Sequence, residues 1–151
     1  MRIEEAINQP VFTSPQHRAN VNILYTSGWL NQQTGQVLRP FDISVQQFNI
    51  LRILRGRKGE PATIKSLTGR MLDKMSNASR LVDKLKRKGL VERTECPTDR
   101  RRVDIVITQA GLDLLIDASN AMESEINKRF TNLTSTEADQ LSNLLDKLRN
   151  D

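Results

Sequence analysis

The 151-residue sequence predicts a mainly α-helical chain that carries one small β-hairpin. Three observations lead there. Apolar side chains recur every three or four residues along most of the chain, which places them on one face of a helix. Residues that cap helices punctuate those stripes: Ser, Thr or Asp before a run, Gly after it. Only between residues 90 and 108 does the period fall to two, the period of a half-buried strand.

Ser14-Pro15 opens the first helix, with Ser as N-cap and Pro at a position whose N–H the helix does not need. Val21, Leu24, Tyr25, Gly28 and Trp29 form its stripe, and it should end near Leu38, because Arg39 precedes Pro40. Ser44-Val45-Gln46-Gln47 reads as a capping box for a second helix with Phe48, Leu51 and Leu54 on one face. Gly56 through Pro61 is too rich in Gly and Pro to continue it.

Two short helices should follow. Thr63 caps the first, Ile64–Met71, with Ile64, Leu67 and Met71 inward. Asp73 is the expected cap of the second, Lys74–Lys88, with Ala78, Leu81, Val82 and Leu85 inward and Gly89 as its stop. A tight link between two short helices, the second one basic, describes a helix-turn-helix. Leu90–Glu95 and Val103–Thr108 then read as strands around a turn, Cys96 to Arg102, whose Pro, Asp and three consecutive arginines make a basic hairpin tip. An isolated hairpin is marginal, so this one must lean on the helices, making a winged helix-turn-helix. Thr108 caps a long helix with Leu112, Leu115, Ile116, Met122, Ile126 and Phe130 on its apolar side. Thr134-Ser135-Thr136-Glu137 is a second capping box, ahead of Leu141, Leu144, Leu145 and Leu148.

Composition narrows the chemistry. One cysteine and one histidine leave no internal disulfide, no Cys/His zinc site and no catalytic pair that avoids His17, around which no motif stands. Phosphate-binding glycine motifs and the helical zinc-protease motif are missing. The expectation is a binding protein with no catalytic residues, cofactor or metal. No apolar run approaches the ~20 residues of a membrane span, and the first residues do not resemble a secretory signal, so a cytoplasmic location is expected.

The net charge of +5 is uneven. Residues 65–102 hold twelve Lys and Arg against five Asp and Glu, whereas residues 103–151 hold four against nine. A basic middle followed by an acidic end suits a nucleic-acid-binding lobe joined to a part that does not bind.

Asp99-x-Arg101-x-Val103-x-x-x-Ile107-Thr108 resembles the signature of the MarR family of bacterial transcriptional regulators. The segment Ser79 to Arg93, with Val-Asp-x-Leu and Lys-Gly-Leu-Val inside it, is similar to the same family's recognition helix and the start of its wing. The order of elements matches over essentially the whole chain. The sequence departs from the pattern at Leu72, where many members have Gly, and at Asp73 to Asn77, where a Ser often caps.

The resemblance implies a single domain over residues 1–151. Residues 14–38 and 109–150 would form a dimer lobe, and residues 44–108 a DNA-binding lobe. It implies a homodimer with a recognition helix in the major groove and a wing arginine in the adjacent minor groove. The expected function is a sequence-specific repressor of duplex DNA with a pseudo-palindromic operator, relieved by a small molecule or another signal. The alternative is a winged-helix module for protein–protein contact whose basic face is incidental. The candidate DNA-binding residues are Lys74, Ser76, Asn77, Arg80, Lys84, Arg100, Arg101 and Arg102. Asn and Arg suit base edges, Lys suits phosphate, and a wing arginine suits a narrow minor groove. Asp99 is expected to orient Arg101 by a charge-assisted bond. Tyr25, Trp29, Phe41 and Phe48 are candidate walls of an effector pocket, with plain core as the competing reading. Cys96 reads as an incidental thiol.

Overall fold

The computed structural model describes residues 1–149; residue 150, the end of the expected C-terminal segment, and residue 151 lie outside the described residues. The elements are α1 (Ile3–Ala6), α2 (Pro15–Leu38), a 3-10 turn (Arg39–Phe41), α3 (Val45–Arg55), α4 (Ile64–Arg70), α5 (Ala78–Arg87), β1 (Val91–Cys96), β2 (Asp99–Ile107), α6 (Gln109–Arg129) and α7 (Ser135–Arg149). The chain divides into two compact units, Met1–Val45 and the residues from Gln46 onward.

In the first unit the Ser14 hydroxyl accepts from the His17 N–H at 3.0 Å, the expected cap of α2. The helix stops at Leu38, where Pro40 forces the tighter 3-10 turn. The one-turn helix α1 was not anticipated, since four residues are too few to show a period. It is tied to α2 by Arg18, whose Nε donates to Glu4 Oε1 at 2.6 Å. That guanidinium holds the Glu4 carboxyl below its ordinary pKa.

The core of the second unit is built around α3. Beyond the expected Phe48, Leu51 and Leu54, Ile50 and Ile53 are buried as well. A helix covered on more than one stripe sits inside its domain rather than against one face of it. Leu67 and Met71, then Ala78, Val82 and Leu85, then Val91 and Ile105, then Leu115, Ala118 and Met122 complete the core. The Thr63 hydroxyl caps α4 by accepting from the Ser66 N–H at 3.1 Å. Helix α5 ends as expected: the Gly89 N–H bonds to Lys86 O at 2.9 Å and the Leu90 N–H to Leu85 O at 3.0 Å, with Gly89 at φ +71°. Only a residue without Cβ enters that region at little cost.

Strands β1 and β2 pair antiparallel, Val91 opposite Ile107 and Arg93 opposite Ile105. Ala62, just before α4, exchanges both backbone bonds with Ile105, at 2.9 and 2.8 Å. This bridge widens the two-stranded ribbon and fastens it to the helix-turn-helix, supplying the support a lone hairpin lacks. Helix α6 is capped by Thr108, whose hydroxyl accepts from the Gly111 N–H at 3.1 Å, and Arg55 on α3 donates to Ser119 on α6 at 3.4 Å. The expected box at the start of α7 is formed: the Thr134 N–H donates to Glu137 Oε2 at 2.8 Å and the Glu137 N–H to Thr134 Oγ1 at 3.3 Å.

The last two helices bury less than their patterns suggest. On α6, Ile116 and Ile126 are exposed, as is Phe130 just past its end, and no described residue of α7 is buried. Leu144 and Leu148 are 65% and 68% exposed. No described helix is long and apolar enough to cross a membrane.

Candidate nucleic-acid interface

The basic segment folds as α4, a turn over residues 71–77, and α5, with α4 and α5 in contact and α5 packed on β1. The turn differs from expectation. Asp73 does not cap the recognition helix; its carboxylate accepts the Met75 N–H at 3.0 Å, a local turn two residues long. That bond to Met75 is the main reason the Asp73 carboxyl lies below its ordinary pKa. The cap is Asn77, whose side-chain oxygen accepts the Arg80 N–H at 3.1 Å, so the helix begins at Ala78. Asp and Asn are about equally good N-caps, and the sequence holds both. Met71 settles the choice: it ends α4 in an extended conformation while buried, which leaves residues 72–76 to span the link.

Lys74, Ser76 and Asn77 therefore stand before the recognition helix rather than along it. Lys74 Nζ donates to the Gly69 carbonyl at 2.5 Å, against the C-terminal end of α4. Ser76 is half-buried, and Asn77 is exposed with its oxygen already engaged. Asn49 on α3 accepts the Leu72 N–H at 2.9 Å, fixing the turn to the core.

Arg80 and Lys84 are exposed on α5, while Ala78, Val82 and Leu85 are buried. One helix thus presents cations outward and packs apolar side chains inward. Asp83, an acid in this basic helix, receives Arg93 Nη1 of β1 at 2.6 Å. The pair joins the recognition helix to the wing. Sequence reasoning did not single it out; the one signal was an acidic residue among Arg80, Lys84 and Lys86 facing an alternating strand.

On the wing the three arginines lie at the start of β2, beyond a turn of Pro97 and Thr98, rather than in the loop tip itself. They are nonetheless displaced from regular pairing. Cys96 pairs with Asp99 and Glu95 with Val103, so the register jumps across Arg100, Arg101 and Arg102. Such a bulge bends the strand and pushes side chains outward, and all three arginines are exposed. Asp99 accepts the backbone N–H of Arg101 at 3.0 Å, so it shapes the chain at Arg101 rather than gripping the guanidinium. Arg102 Nε pairs with Asp104 at 3.0 Å. A groove of ≈ 350 Å³ runs from the start of α4 to β2, with Lys65, Arg93, Arg101 and Arg102 on its walls and Asp99 as its acid.

Cys96 is half-buried beside Thr98, whose hydroxyl, 3.3 Å from Sγ, lowers the thiol pKa. Of the aromatic candidates, Tyr25 and Trp29 are partly exposed one turn apart on α2, and Phe41 is half-buried in the 3-10 turn. Phe48, in the second unit, is buried with the Arg52 guanidinium 5.8 Å from its ring centre. Among the described residues no cluster of His, Cys, Asp and Glu could hold a metal.

The segment most engaged in this geometry is the one that known proteins share. Residues 41–102 match the sequence profile described as "MarR family". The transcriptional repressor MprA of Escherichia coli is 25% identical over 119 residues, covering 79% of this chain and 68% of MprA. The organohalide-sensing regulator RdhR, in its 2,4-dichlorophenol-bound form, superposes with a TM-score of 0.81 over 92% of this chain and 86% of its own, at 22% identity. MepR of Staphylococcus aureus, solved in complex with DNA, gives 0.74 over 89% and 96%, also at 22% identity. With the helix-turn-helix, the hairpin wing and the shared profile in place, the chain belongs to the MarR family of winged-helix, DNA-binding transcriptional regulators.

Proposed function

We propose that the protein is a homodimeric, sequence-specific repressor that binds a pseudo-palindromic duplex through α5 and the wing and is released by a small-molecule or other signal. The observation that carries this reading is the pairing of two exposed cationic elements on one rigid frame: Arg80 and Lys84 on α5, and the bulged Arg100–Arg102 on β2, linked by the Asp83–Arg93 ion pair. An amphipathic helix fits the major groove, and a wing arginine fits the minor groove beside it. MepR, of like fold, was solved with DNA, and MprA is named a repressor; both support the reading.

The dimer rests on apolar surface the chain leaves uncovered: Leu24 on α2, Ile126 on α6 and Phe130 just past its end, and Leu141, Leu144 and Leu148 on α7. Residues 14–38 and the chain from 109 onward form the dimer lobe in this reading, and residues 44–108 the DNA-binding lobe. Effector sensing is supported by RdhR, which holds a chlorophenol; Tyr25 and Trp29 offer partly exposed rings on α2. The protein would work in the cytoplasm, where its DNA lies.

The test is duplex affinity against salt concentration, with molar mass by light scattering. Neutralising several phosphates predicts a steep linear fall of log affinity with log salt, and a mass of two chains. Absent or salt-insensitive DNA binding would favour the protein–protein module instead.

A further inference from the structure

We propose that Leu72 and Met75, on the turn before the recognition helix, read the 5-methyl groups of thymines in the major groove; this rests on the DNA-binding reading above. Both are apolar yet almost bare, at 85% and 93% exposed. Their backbones are nonetheless held: the Leu72 N–H bonds to Asn49 of the core, and the Met75 N–H bonds to the Asp73 carboxylate. A loose loop would let such side chains fold back onto apolar surface. This turn displays them outward, next to the N-terminal end of α5, which is the end that reaches base edges in a helix-turn-helix.

The surroundings identify the occupant. A protein partner would call for a contiguous apolar patch. Here the two side chains are separated by Asp73 and Lys74 and followed by Ser76 and Asn77, a mixture of apolar and polar groups. The major-groove floor is the matching mixture. It carries hydrogen-bonding base edges interrupted by thymine methyls, which apolar side chains contact. The excess of cations over residues 65–102 supplies the charge complement to the phosphates on either side.

The test uses duplexes that the full-length protein enriches from a randomised pool. Each thymine is replaced in turn by deoxyuridine, which lacks only the 5-methyl group, and affinity is measured for the wild type, Leu72→Ala and Met75→Ala. At contacted positions the wild type should bind the deoxyuridine form about fourfold more weakly, the worth of one buried carbon. Met75→Ala, Leu72→Ala or both should lose that discrimination while keeping the salt slope. Both side chains are exposed, so neither change opens a core cavity. Equal wild-type affinity at every thymine overturns the proposal and leaves DNA binding standing. Discrimination that survives in both variants moves methyl reading to other residues and overturns it too. A pool with no enriched sequence would overturn the DNA-binding reading along with it.

Discussion

The Thr108 hydroxyl donates to the Gly89 carbonyl at 2.7 Å while accepting from the Gly111 N–H at 3.1 Å. One side chain therefore serves the exit of α5 and the entrance of α6. The Thr108 N–H adds a third bond, to Leu90 O at 3.1 Å. The wing leaves the helices at Leu90 and returns at Thr108, so these bonds close its base. Thr108→Ala removes the cap of α6 and strands the Gly89 carbonyl. We expect a loss of about 1–2 kcal/mol in urea unfolding, with Thr108→Ser recovering most of it.

Gly111 sits three residues into α6, where helix propensity alone favours alanine by up to about 1 kcal/mol. The structure reverses that preference. A Cβ at Gly111 would lie 2.3 Å from the Leu90 carbonyl oxygen and 2.7 Å from Ile107 Cγ1. Leu90 O is backbone, already held by Thr108, and has little room to retreat. Gly111→Ala should destabilise by about 1–3 kcal/mol despite its better propensity, read as a lower urea midpoint; a raised midpoint would show that the approach of α6 to Leu90 and Ile107 is looser than described.

Acid should release the start of α7. The Thr134 backbone N–H, with its hydroxyl, bonds to the Glu137 carboxylate and holds its pKa below the ordinary value of 4.5. A lowered folded-state pKa means the contribution is complete above the ordinary value and is lost as pH falls through the lowered one. Amide exchange at Thr134 should thus accelerate, beyond its intrinsic pH trend, only below pH 4.5. Glu137→Gln should lack that step.

Arg101→Ala should weaken duplex binding at least tenfold while leaving thermal stability and molar mass unchanged. The side chain is exposed on a bulge, so its removal leaves no cavity. Asp99→Ala should give a milder defect, because Asp99 shapes the backbone at Arg101 and does not hold its guanidinium. Fluorescence anisotropy with the enriched duplex measures both; a defect in Asp99→Ala equal to or larger than that in Arg101→Ala would contradict this order.

Arg80 and Lys84, one turn apart on α5, should divide readout from positioning. A guanidinium makes paired bonds to a guanine edge, worth ~1–3 kcal/mol of discrimination, whereas lysine suits phosphate as a point charge. On enriched and scrambled duplexes across several salt concentrations, Arg80→Ala should lose the preference between them. Lys84→Ala should weaken both alike and flatten the salt slope by ~1. Identical behaviour of the two variants would end this division while sparing the winged-helix assignment.

Local signals settled much of this molecule before tertiary contacts entered. The caps at Ser14, Thr63, Thr108 and Thr134, the stop at Gly89 and the switch from helical to strand period are read from a few neighbouring residues, because each depends on bonds within one turn of chain. The basic character of residues 65–102 is likewise present in the sequence alone. Tertiary structure decided what local rules left tied. Asp73 and Asn77 are both good caps, and the buried, extended Met71 gave the helix start to Asn77, placing Lys74 and Ser76 outside it. The bridge from Ala62 to Ile105 and the ion pair from Asp83 to Arg93 join residues far apart in sequence, so no periodicity announces them. The register jump that lifts Arg100–Arg102 out of the ladder depends on how β1 meets β2, a pairing that neither strand encodes by itself.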